Sequence, residues 1–435
     1  SITGSLTLAA PSAVNFNNGA TGGGTIGGAL TGSTTTLTIG PVSVGSYTPQ
    51  GAVTGISNLV VTNGTFTNTL HPVTVATAIS TAAAGTITLN NILTGAATVN
   101  NAGNLNIDFI NALTATGALT NTGTLSITKA YTPTSSAFTT SGTININSGG
   151  IFTKPATFTN TGITKIDGTG TINGAYTGGA GSSLIIGPTT STTSYTTTGT
   201  IAGVETITVQ KGLFTVANAV SGAINFNISS GAKAVLNAVV TGTGAVTNAG
   251  TLTFNTAAAL ASFASLTNTG SLNIAANFTV PATLTNTGAV YVYSTSATIP
   301  TAIAITGTLS GGSVGSLHIG RDNTLSTNYL ATSFTTTQTI TNMPTIHLYA
   351  GNFTANNAIS GVTNFTIDPD NTTTSGTTPT SFNLNAQITG IGTSASPTLI
   401  NAGTMSIGVN NPFVDGDANK WVISNSGSLT LNNPL

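Results

Sequence analysis

One short phrase recurs along this chain: Asn, a small residue, Gly, and then an alternating apolar strand. It reads NAGNLNI from Asn101, NTGTLSI from Asn121, NAGTLTF from Asn248, NTGSLNI from Asn268, NTGAVYV from Asn286, NAGTMSI from Asn401 and NSGSLTL from Asn425, with a further NTG at Asn160. Asn and Gly suit the left-handed backbone of a tight corner, and L-x-I places alternate side chains on one buried face. Spacing adds the stronger constraint, because Asn101 to Asn121 and Asn248 to Asn268 are 20 residues apart and Asn268 to Asn286 is 18. A period near 20 built from strands and corners describes a stack of coils. The expected fold is all-β, a right-handed parallel β-helix (β-solenoid) of about 22 coils of about 20 residues each. Three consecutive β-sandwich-like domains are the alternative, since the chain also divides into blocks of domain size.

Those blocks are a second, longer repeat. TLTIGPVSVGSYT from Thr36, SLIIGPTTSTTSYT from Ser183 and SLHIGRDNTLSTNYL from Ser316 each close an apolar strand with Ile-Gly and run on to a Tyr, and each block later reaches an N-A-G strand. Leu37, Leu184 and Leu317 mark the starts, giving blocks 37–183, 184–316 and a short third block 317–435. Residues 1–36 resemble the missing tail of the third: GSLTLAAPSAVNFNNGATG from Gly4 parallels GSLNIAANFTVPATLTNTG from Gly270. The expected seam of the repeat lies between one copy's end and the next copy's start. Docking there places Ile2, Leu6 and Leu8 of one copy against Leu429 and Leu431 of another, by addition of a strand to an open edge. The segment AAALASFASL from Ala257 keeps the 20-residue spacing and reads as strand and corner, while 189–200 and 371–380 read as loops.

Composition narrows the function. Only 3% of the 435 residues are charged and the net charge is −1, against about 25% charged in ordinary soluble proteins. Without a basic patch there is no footprint for nucleic acid, and no apolar run reaches the ~18 residues that cross a bilayer. Cysteine is absent, which removes disulfides and thiolate metal sites. The chain begins at Ser1 rather than Met, and the expectation is a processed, exported protein, extracellular or at the cell surface.

Few residues could carry chemistry. Asp415, Asp417 and Asn419 offer oxygens at alternating positions, as at the opening of a calcium loop, but Lys420 stands where Gly is required and no Glu closes the loop. An exposed polar loop is the better reading, so no metal or cofactor is assigned. Asp368, Asp370 and Asn371 read as a Pro turn. A polysaccharide-degrading enzyme would need clustered carboxylates, whereas Arg321 is the only Arg, Glu205 the only Glu, and Lys129, Lys154 and Lys165 with Asp167 read as a solvated ionic row. His71, His318 and His347 have no metal-ligand spacing. Catalysis is not expected. Thr-x-Thr pairs invite an ice-binding reading but do not recur at one phase of every coil. Asn63, Asn227, Asn277, Asn352, Asn364 and Asn371 begin N-x-S/T sites, and glycans there would shield a surface with too few charges to prevent sideways sticking.

At LTNTGTLSI, LTNTGSLNI and LINAGTMSI the chain resembles the β-solenoid surface proteins of bacteria, of the filamentous-haemagglutinin and autotransporter-passenger type. The resemblance implies an exported adhesin or surface structure and brings no active site. The functional expectation is an extracellular structural protein, a subunit of a surface filament or layer that polymerises head to tail. The alternative is the stalk or passenger region of a secreted adhesin.

Overall fold

The computed structural model describes residues 2–9, 12–17, 25–115, 117–189, 193–257, 260, 262–293, 302–320, 332–336, 338–368, 380–390, 396–409, 412–414 and 421–432. The described residues contain no helix, and their strands pair in parallel as the stacked coils of a β-solenoid, about 18 in all. Two compact units make up the chain, Ser1–Leu213 and Phe214–Leu435.

Three short strands make a coil. In the first unit Leu93–Ala96, Thr98–Asn101 and Asn104–Ile107 form one, and Leu113–Ala115, Ala118–Asn121 and Thr124–Ile127 form the next. Each strand places every second residue inward, so like residues stack in columns along the unit. Leu37, Leu59, Ile79, Val99, Leu119 and Phe138 form one such column, all at most 2% exposed. On the next face, Leu105, Leu125 and Ile144 continue through Thr164 to Leu184 and Ile207. The second unit is built alike, with Thr345–Leu348, Gly351–Ala355 and Ile359–Val362 forming a coil and Asn364–Ile367 opening the next.

The long repeat and the coil are out of step by one face. In the first unit Leu37 begins its block in the first of these columns, whereas Leu184 begins the following block in the column of the next face. In the second unit Asn248, Asn268 and Asn286 end strands of one face, and the strands that follow them, such as Thr251–Phe254, belong to the sheet whose later members end in Asn401 and Asn425. A block is therefore a whole number of turns plus one face, and the motif moves one corner on with each block.

About 18 coils replace the expected 22 because the coils from the end of the second block onward are long. Val292 to Ile319, Ile319 to Leu348 and Ile367 to Asn401 are 27, 29 and 34 residues apart in one stacked column, against 20 for Phe254 to Ile274. The described strands on either side of these longer stretches keep their register. Ser194–Thr196 is a strand inside the stretch expected to be a loop, and its Tyr195 is buried. After Ala257 the described residues form turns until the strand Ser265–Asn268.

Candidate docking edges and buried polar ladders

The Asn-small-Gly corner works by a different physics from the one its sequence suggests. None of Gly103, Gly123, Gly142, Gly250, Gly270, Gly288, Gly403 and Gly427 has a positive φ, nor do the Asn residues before them. These glycines stack directly on one another. A Cβ on Gly123 would lie 2.2 Å from the Gly103 carbonyl oxygen, and one on Gly270 2.1 Å from that of Gly250. Gly is required for close approach between coils, not for a left-handed turn.

The Asn side chains point inward. In L-T-N-T-G the Asn is two residues beyond the Leu and shares its buried parity, and Asn101, Asn121, Asn160, Asn248, Asn268, Asn286 and Asn401 are all at most 2% exposed. They continue columns whose earlier members are apolar: Phe16, Ile39 and Val61 precede Thr81, Asn101 and Asn121, and Ile228 precedes Asn248. Buried polar groups are normally bonded, and here the amides are, although the Oδ1 atoms of Asn248 and Asn401, first in their ladders, have no partner. Asn101 Nδ2 donates to Asn121 Oδ1 at 2.6 Å and to the Thr124 carbonyl at 2.9 Å. Asn248 Nδ2 donates to Asn268 Oδ1, and Asn268 Nδ2 to Asn286 Oδ1, both at 2.6 Å. Asn401 Nδ2 donates to Asn425 Oδ1 at 2.6 Å and to the Ser428 carbonyl at 3.0 Å. Every ladder runs the same way, amide hydrogens toward the later coil. The Asn backbone carbonyl accepts both amides of the next corner, as Asn101 does from Thr122 and Gly123 at 2.8 and 3.0 Å. Asn160 closes the first ladder on a buried phenol, Tyr176, whose hydroxyl also bonds Thr164 at 2.5 Å. Burial raises the Tyr176 phenol well above its ordinary pKa, while the bonds from Thr164 and Asn160 pull it down by less.

The last described coil leaves its columns open. Leu429 and Leu431 are 42% and 49% exposed, yet they stack on Met405 and Ile407, which are 0% and 3% exposed. Ile423, 46% exposed, stacks on Leu399 at 1%. At the other edge Leu6 pairs with Leu30, Ile2 bridges to Ile26 and the Leu8 amide donates to the Thr31 carbonyl. Ile2 is exposed, and Leu6 and Leu8 are half-buried.

The expected ionic row does not form. Lys165 stands opposite Asn145 within a strand, Lys129 lies in a corner whose carbonyl accepts the Ile151 amide, and Lys154 follows the strand Ile151–Thr153, so the three occupy different positions of their coils. Asp167 accepts from Thr189 and Thr193, and Glu205 from the Gly181 amide. His318 and His347 are more than isolated surface side chains: with Tyr291 they form one outward column, in which His318 stacks on Tyr291 at 4.8 Å and Tyr349 packs on His347 at 3.7 Å. His347 Nε2 pairs with Asp368 Oδ1 at 2.8 Å. Among the described residues no three His, Cys, Asp or Glu come close enough to hold a metal ion. Asp415, Asp417 and Asn419 lie outside the described residues, as do Arg321, Asp322, Asp370 and Asn371. Among the described residues no helix is long and apolar enough to cross a membrane. Comparison of the chain with protein-family models, curated proteins and solved structures found no match.

Proposed function

We propose that this chain is an extracellular structural protein whose coils join end to end in a surface filament or surface layer. The observation that carries the reading is the set of apolar columns left open at Ile423, Leu429 and Leu431, whose neighbours one coil back are buried. Covering these three side chains would contribute on the order of 3 kcal/mol, and the edge strands beneath them have hydrogen-bonding groups ready for another parallel strand. The occupant in this reading is a second copy, entering with its edge at Ile2, Leu6 and Leu8. A heterologous contact of this kind propagates instead of closing. Export is supported by the lack of Cys and by the resemblance of the L-T-N-T-G strands to haemagglutinin-type and autotransporter-passenger surface proteins.

Negative-stain microscopy and sedimentation over a concentration series test the proposal. Filaments should lengthen with concentration and disappear when residues 1–8 are deleted. Discrete particles at every concentration would overturn it and favour the adhesin stalk, a reading that the repeated blocks also support. The proposed role is not catalytic, and release of reducing ends from a polysaccharide panel would count against it.

A further inference from the structure

On the second face of the first unit, outward residues fall into two unbroken polar columns. Thr65, Thr86, Asn104, Thr124 and Thr143 form one and Thr67, Thr88, Asn106, Ser126 and Asn145 the other, in register over five successive coils. The Thr-x-Thr pattern that the sequence shows only intermittently thus holds one phase, with Asn and Ser standing in for Thr. Ile163 and Lys165 end it on the next coil. Asn104 Nδ2 reaches Thr86 Oγ1 at 3.4 Å and Asn106 Nδ2 reaches Thr88 Oγ1 at 3.1 Å, so the columns are cross-linked along the stack. Nine of the ten side chains are half-buried and one, Asn104, is exposed. The array includes no charged, aromatic or large apolar residue.

We infer that this face is a lateral contact surface for a second copy of the chain. A rigid lattice of weak polar groups gains from a partner only if the partner repeats with the same spacing, so that many contacts form together. The coil spacing is ~4.8 Å, and along each strand the paired positions are ~6.7 Å apart. Another copy of the same face repeats with that spacing by construction. Its hydroxyls and amides both donate and accept, so the face is self-complementary, and without charge it has nothing to repel its twin. A flat sugar lattice would instead be expected to meet aromatic rings, and there are none here. A strip of five coils is about 20 Å long and falls below the ~800 Å² per partner of a standard stable interface. Single copies therefore pair weakly, and the contact strengthens when many copies are aligned. The inference does not depend on end-to-end docking, and its test removes that contact.

The absence of Cys allows a clean trap. In a Leu429→Asp, Leu431→Asp background, Ser126→Cys places one thiol inside the array, and Thr120→Cys places one on the neighbouring face, in a strand of the same coil. Under mild oxidation the Ser126→Cys protein should form disulfide dimers at least tenfold faster. Adding Thr86→Lys and Asn106→Lys should bring that rate down to the Thr120→Cys level, with the far-ultraviolet circular dichroism unchanged. Equal rates for the two thiols, or a fast rate that survives the lysines, would overturn the inference. Ice shaping by the parent chain without face-specific dimers would overturn it too, and would give the face to ice.

Discussion

At the scale of single residues the motif is a packing device with a polar spine. Gly123 and its equivalents let one corner rest on the next, and the Asn before each Gly carries a directional amide ladder through an apolar column. Gly123→Ala should cost about 3 kcal/mol by overpacking against Gly103, whereas Thr122→Ala, on the outer side of the corner, should be near neutral. Denaturant midpoints compare the two, and a harmless Gly123→Ala would contradict the stacking account. Asn268→Ala should also cost about 3 kcal/mol, because it strands the Asn286 side-chain oxygen and one Asn248 amide hydrogen inside the column, the other staying on the Ser271 carbonyl. Replacing Asn248, Asn268 and Asn286 together by Ile should cost less than the three single changes combined, since unpaired buried groups are then removed with their partners. Strict additivity would show that the amides act separately. Ile39 and Val61, earlier in the first ladder's column, are the precedent for an apolar residue there.

The element is the coil, and each coil depends on its neighbours above and below. Met405→Asp should prevent the last coils from forming, because the side chain is 0% exposed beneath another strand, while Leu429→Asp with Leu431→Asp should leave the fold intact and abolish end-to-end growth. Hydrogen exchange reads the fold and sedimentation the growth; loss of both in the Leu429 and Leu431 variant would mean that these leucines belong to the folding core. The coil was legible in the sequence because strand parity and corner spacing survive in L-x-I and N-x-G. What the corner residues do was less legible. Asn and Gly are the usual left-handed turn residues, and that local habit hid the parity shared by Leu119 and Asn121, which places the Asn inside. The polar array was hidden for a related reason, since Asn104, Asn106 and Ser126 break the Thr-x-Thr text without breaking the column. The rings around His318 and His347 could not be read at all, because the coils there are 27 to 29 residues long and only the folded register aligns them.

Over the whole molecule, scarcity of charge governs the response to pH. Eight Asp and Glu and three His in 435 residues give acid little to act on, so stability should vary little between about pH 4 and 9. Alkali finds more. Tyr47, Tyr131, Tyr176 and Tyr195 are at most 2% exposed, and burial holds all four phenols in the protonated form, Tyr47 being pushed up to about 12 and the others further. Each has a folded pKa above the unfolded value of about 10. Their contribution is therefore complete below about pH 10 and is lost as pH rises through the folded values, because the unfolded chain then releases protons that the native chain retains. Denaturant midpoints should stay level to about pH 9 and fall steeply from about pH 10 upward. Phenolate absorbance should rise in two stages, the buried four appearing only together with loss of the β-sheet signal. Ionisation of all the tyrosines near pH 10 with the sheet signal intact would show that these phenols reach water in the native coils, contrary to their place in the columns.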